Sequence, residues 1–165
     1  MRRELARSAS KDGNAITDRR TLTLRDYVKR RNGVPLGAPG SLQNMLHRAF
    51  GARSFANFWQ HWNPIFGYYL GSRVFVSLKR LLPPWAALIL TFVVTGIIHD
   101  VVTMAVRRDI AFLFTPWFLV MGSGVVLSNV AGMDIGARPW ALRAVTNTAY
   151  LVISLALALI IFPIR

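Results

Sequence analysis

Residues 85–106 read Trp-Ala-Ala-Leu-Ile-Leu-Thr-Phe-Val-Val-Thr-Gly-Ile-Ile-His-Asp-Val-Val-Thr-Met-Ala-Val, and this stretch decides the fold. Its 22 residues include one acidic side chain, one histidine and no Lys or Arg. A helix rises about 1.5 Å per residue, so the segment is long enough to cross a hydrocarbon core of about 30 Å. Two further apolar stretches, residues 111–130 and 146–163, carry no charged residue at all. Three such runs in succession predict an all-α integral membrane protein with about three transmembrane helices. Amphipathic interfacial helices are expected to precede them.

The first half of the chain has the opposite character. Of the 20 Lys and Arg in the 165 residues, 15 lie in residues 1–80, against a formal net charge of +13. Basic residues concentrated before a first span follow the positive-inside rule, which predicts a cytoplasmic N-terminus. They also attract anionic headgroups, so membrane lipids are expected partners. A nucleic-acid role would come with a recognisable binding module, and no such module is visible. The expected location is a plasma membrane, in a bacterium the inner one. With no cysteine in the sequence, disulfides, thiolate metal sites and cysteine nucleophiles are excluded. The first 31 residues lack the apolar core of a signal peptide.

Four regions follow from these shifts. Residues 1–20 are polar and basic, the composition of a disordered tail. Residues 21–53 hold a short basic helix ended by Asn32 and Gly33, then a second helix for which Ser41 is the expected cap and Gly51 the stop. In residues 54–84, Ser54 can cap a helix over 55–63 that Pro64 breaks. There Phe55, Phe58, Trp59 and Trp62 share one face, suited to lying at a bilayer surface. Residues 65–82 mix apolar side chains with Arg73, Lys79 and Arg80, which predicts an interfacial or partly immersed helix. Residues 85–165 form the membrane domain. Pro116 is expected to kink the second span, and Gly122, Gly124 and Ser128 to allow close helix approach.

Two ionisable residues inside the first span stand out on energetic grounds. An Asp near the centre of a span costs about 2.5–3.5 kcal/mol on insertion scales, and His99 and Asp100 lie only roughly 5 Å from that centre. Such residues face protein or a watery cavity and often mark substrate or proton pathways. Thr91, Thr95, His99 and Thr103 recur every fourth position and form one stripe, with Gly96 beside it. The ordinary reading of the threonines is hydrogen bonding to their own helix carbonyls. A neutral imidazole at His99 is what a general base needs. Asn63, at the break before Pro64, is of a type that can orient a carbonyl or donate to an oxyanion, although a turn residue is its ordinary role. His47 and His61 fall on separate helices without the close pairing of a metal site, so no metal and no haem is expected.

The stretch Phe58-Trp59-Gln60-His61-Trp62-Asn63 resembles the Phe-Tyr-x-Asp-Trp-Asn motif of sterol and diacylglycerol acyltransferases, in the membrane-bound O-acyltransferase (MBOAT) superfamily. It also resembles the Phe-Trp-Arg-Arg-Trp-His version of bacterial members. Thr95-Gly96-Ile97-Ile98-His99-Asp100 resembles the segment that bears the family histidine. His61 stands where the family has Asp or Arg, and Asp100 where it has Glu or Gly. The resemblance spans about residues 48–163, corresponding to the C-terminal half of enzymes with eight or more spans. It implies transfer of an acyl group from a thioester, commonly acyl-CoA, to a lipid or glycolipid hydroxyl. His99 and Asn63 would be catalytic; Trp59, Trp62, Tyr68, Arg73, Thr95 and Asp100 would contact substrate. Acyl-CoA would be a co-substrate, and no cofactor is implied. Three spans would need a second copy, a partner or lipid to complete the enclosure. The alternative is a non-catalytic membrane subunit that supports a partner complex.

Overall fold

The computed structural model describes residues 22–108 and 112–163. All regular structure among them is helical. The basic tail expected over residues 1–20 lies outside the described residues. In chain order the helices are α1 (Leu24–Asn32), α2 (Ser41–Phe50), α3 (Phe55–His61), α4 (Pro64–Tyr69), a π-helical turn (Leu70–Phe75), α5 (Val76–Leu78), α6 (Pro84–Arg107), α7 (Phe114–Val130) and α8 (Trp140–Ile161).

Local chemistry explains most of the boundaries. The Thr23 hydroxyl accepts from the Asp26 amide at the start of α1, and Gly33 ends that helix in the left-handed conformation. Ser54 caps α3 by accepting from the Asn57 amide. Ser41 does not cap α2: it is the first helical residue, and Gly40 precedes it without a side-chain cap. α6 begins at Pro84, where the missing N–H is no loss, and ends at Arg108 in the left-handed conformation. α8 starts at Trp140, six residues ahead of the expected span. Pro139 sits at its N-cap, and no helix breaker stands between Trp140 and Thr146.

The three C-terminal helices form an antiparallel bundle. Gly96 on α6 meets Phe114 and Thr115 at the start of α7, while Phe92 and Ile89 meet Gly122 further along it. Both glycines are required by proximity. A Cβ on Gly96 would lie 2.6 Å from the Thr115 Cα, and one on Gly122 would lie 2.9 Å from the Phe92 Cβ. Gly124, expected to serve the same approach, faces open space. Trp117 near the start of α7 donates to Ser154 in the far half of α8, at 3.0 Å, which sets α8 antiparallel to α7.

The aromatic face of α3 is the core of the molecule, not an outward surface for a bilayer. Phe55 and Phe58 are fully buried and cluster with Phe92, Phe118, Met121 and Val125. Phe55 stacks on Tyr150 of α8, and Trp59 meets Phe92 and Phe118 edge-on or tilted. Asn147, also fully buried, donates to the carbonyls of Phe50 and Ala52 at 2.9 and 3.1 Å and ties the α2–α3 turn to α8.

α6 and α8 are long and apolar enough to cross a membrane, with mean hydropathy of 2.0 and 2.1 over their most apolar 18 residues. α7 is apolar but has only 17 residues. Much of this apolar surface points outward: Ile97, Val101, Val102 and Val106 on α6, and Val145, Val152, Ile153 and Ile160 on α8, are exposed.

The loop between α7 and α8 is held by charge. Arg53 pairs with Asp134, and the Ile135 amide donates to the Arg53 carbonyl at 2.8 Å. The Arg53 hydrogen bond, then the Gly136 amide, lowers the Asp134 pKa, and the same pairing raises that of Arg53. A lowered carboxyl pKa means the contact is complete above the unfolded value of about 3.9 and is lost as pH falls through the lower folded value. Amide exchange at Ile135 is therefore expected to lose protection below about pH 3.9. Asp134→Asn should show the reduced protection already at neutral pH; equal protection in both proteins would refute the tie.

Candidate functional site

The stripe on α6 becomes a ladder of hydrogen bonds to the helix's own carbonyls. Thr91 donates to Ala87 at 2.7 Å and Thr95 to Thr91 at 2.8 Å; both threonines are buried. The His99 Nδ1 continues the series at 2.8 Å from the Thr95 carbonyl. A carbonyl only accepts, so Nδ1 carries the proton and Nε2 of the neutral ring keeps its lone pair. Among the described residues Nε2 has no hydrogen-bond partner, and the ring is half-buried.

Three aromatic rings surround this imidazole. Phe118 stacks on it at 5.1 Å between centroids, Phe114 lies tilted at 5.4 Å, and Phe66 of α4 meets it edge-on at 6.1 Å. The sequence did not single out these three phenylalanines. Their only local signal is membership of apolar runs, which they share with many core residues.

Asp100 has a different task from the one expected beside His99. Its side chain is 1% exposed. One carboxylate oxygen accepts from the amides of Leu113 and Phe114, at 3.0 and 2.8 Å. The other accepts from the amide and the hydroxyl of Thr115, at 2.7 and 2.6 Å. The next residue, Pro116, has no N–H. Every amide at the start of α7 that lacks an intrahelical partner is thus satisfied by one side chain from the preceding helix. The negative charge also sits at the positive end of the helix dipole. As a substrate contact Asp100 is corrected to a helix cap. Pro116 is corrected likewise: it occupies the first turn of α7, where proline is tolerated, and no kink is needed.

The other expected site residues divide by position. Thr95 holds His99 through its carbonyl. Trp59 is one ring removed, touching Phe118, which stacks on His99. Asn63 is exposed and has φ of 40°, a left-handed conformation that asparagine tolerates. Its Oδ1 accepts from the Phe66 amide at 3.2 Å, capping α4, and no hydrogen bond joins it to His99 among the described residues. It bears on His99 only through Phe66. Trp62 stacks on Phe58, the Tyr68 hydroxyl donates to the Leu22 carbonyl, and Arg73 is exposed on the π-helical turn; among the described residues none of these hydrogen-bonds to or stacks on His99.

No family model, curated protein or solved structure matches this chain. The site is an oriented imidazole in an aromatic surround, on a helix whose neighbour is clamped in place by Asp100.

Proposed function

We propose that the chain is an integral membrane protein that transfers an acyl group from a thioester, with acyl-CoA as the donor, to a lipid or glycolipid hydroxyl. The outward apolar side chains of α6 and α8 support the membrane placement, because an aqueous surface that apolar is unfavourable. The basic excess before α6 supports a cytoplasmic N-terminus in a plasma or bacterial inner membrane. The observation that carries the catalytic reading is the bond from His99 Nδ1 to the Thr95 carbonyl, which leaves Nε2 as the basic atom. In the reaction, Nε2 takes the proton of the acceptor hydroxyl as its oxygen attacks the thioester carbonyl. The tetrahedral intermediate then collapses, the C–S bond breaks, and the departing sulfur takes the proton from Nε2. The products are an ester and a free thiol. Asn63 acts as a positioning residue, through the helix that brings Phe66 to the imidazole.

General base catalysis is worth about 10²–10⁴ in rate, so His99→Ala in lipid nanodiscs is expected to reduce turnover of an acyl-CoA by at least about 10²-fold. His99→Gln, which keeps a polar group but is not basic, should be equally poor. Thermal midpoints measured beside them separate loss of chemistry from loss of fold. Equal turnover in wild type and both variants would refute the assignment. A second reading, a non-catalytic subunit supporting a partner complex, is favoured by the engagement of both Asp100 and Asn63 as helix caps. It predicts no thioester turnover by the purified wild-type chain.

A further inference from the structure

At the end of the bundle where α8 begins, a cleft of about 330 Å³ lies between α2, α3 and α8. Its lining includes His47, Arg48, Arg53, His61, Trp140 and Arg143. We propose that this cleft binds a phosphate group, borne by a lipid headgroup or by a soluble phosphoester, with Arg143 as its central contact. The proposal is independent of His99, which lies toward the opposite end of the bundle, where α7 begins.

The charge balance favours an anion. Three arginines meet at the cleft, and among the described residues the one carboxylate paired with any of them is Asp134, which holds Arg53. Arg143 is the cation with an unmet requirement. Its Nε is buried and has no hydrogen-bond partner, and no other recorded bond engages its guanidinium among the described residues. A buried donor without an acceptor is costly, and a guanidinium fork matches a phosphate in two parallel bonds. Arg48 gives one donor to the Arg31 carbonyl at 3.0 Å and retains the rest of its fork. His61 bonds the same carbonyl through Nδ1, which fixes its ring as part of the lining.

The walls are built rather than incidental. Trp140 donates its indole N–H to the His47 carbonyl at 3.0 Å and stacks on the His47 ring at 5.1 Å between centroids. Asn147 pins the turn beneath through the Phe50 and Ala52 carbonyls. A volume near 330 Å³ is at the lower end of small-molecule sites, large enough for a headgroup and roomy for a bare ion. Trp140 and Arg143 lie in the first turn of a membrane-length helix, the level at which lipid phosphates meet a spanning segment.

The test uses the full chain in two arms. In nanodiscs of neutral phosphatidylcholine, glycerol 3-phosphate is titrated and binding is read by calorimetry. In the second arm, phosphatidic acid is doped into the nanodiscs and protein-bound lipid is counted by native mass spectrometry. Arg143→Gln and, separately, Arg48→Gln are expected to weaken binding at least tenfold in whichever arm the wild type binds, while Arg73→Gln on the exposed π-helical turn leaves it unchanged. Binding in the lipid arm alone assigns a headgroup, and binding in the soluble arm assigns a free phosphoester. No binding in either arm, or binding that both cleft variants and Arg73→Gln leave equal to wild type, would overturn the proposal. Arg143 has no hydrogen-bond partner to orphan among the described residues, so its variant is expected to keep the wild-type thermal midpoint.

Discussion

Asp100→Ala is expected to lower the stability of the protein by about 3–5 kcal/mol, read as a large fall in the thermal midpoint of the purified chain in detergent. The substitution removes four accepted hydrogen bonds at once and leaves three amides and one hydroxyl at the start of α7 without an acceptor. Each buried donor left unmet costs about 1–3 kcal/mol, and apolar surroundings supply no water to replace the carboxylate. Asp100→Asn should fall between. Its Oδ1 can still serve Leu113 and Phe114, but its amide nitrogen would face the Thr115 N–H. Thr115→Val removes a single hydroxyl bond and should cost about 1 kcal/mol. An Asp100→Ala midpoint equal to wild type would show that α7 does not depend on this cap.

Gly96→Ala is expected to be nearly as damaging, at about 2–3 kcal/mol, although alanine is the better helix former by about 1 kcal/mol. The new methyl would sit 2.6 Å from the Thr115 Cα and 2.7 Å from the Phe114 carbonyl oxygen. Both obstacles are backbone, so no rotamer change relieves the contact. α6 and α7 would have to separate where Asp100 holds the α7 start, which stretches the cap as well. Coupling between the two sites follows: the double variant Gly96→Ala, Asp100→Ala should lose less than the sum of the single losses. Gly124→Ala, with open space around it, serves as the control and should be neutral or slightly stabilising. A midpoint for Gly96→Ala at or above wild type would remove the close approach from the account.

Helicity and the long apolar segments were legible from residue chemistry alone. Hydrophobic runs bounded by proline and charge define α6 and α8 wherever they pack, and Ser54 and Gly33 act within their own turns. The α7 start was not legible, because its cap comes from Asp100, 13–15 residues earlier in the chain. The expected span over 111–130 consequently begins at Phe114, while residue 111 itself lies outside the described residues. The aromatic face of α3 was visible as a stripe, but periodicity carries no information about what a stripe will meet. Phe92, Phe118 and Tyr150 cover it, and a bilayer is not needed to do so.

The candidate site divides along the same line. His99 stood out in the sequence, because an imidazole in an apolar run is conspicuous on transfer energy alone. Its neighbour Asp100 was conspicuous for the same reason, and the two looked like one feature. Transfer energy says that a buried charge needs partners; it does not say which. Only the packed structure decided that, handing Asp100 to the backbone amides of α7 and leaving the His99 Nε2 without a partner among the described residues, because adjacent residues on a helix point about 100° apart and so meet different neighbours.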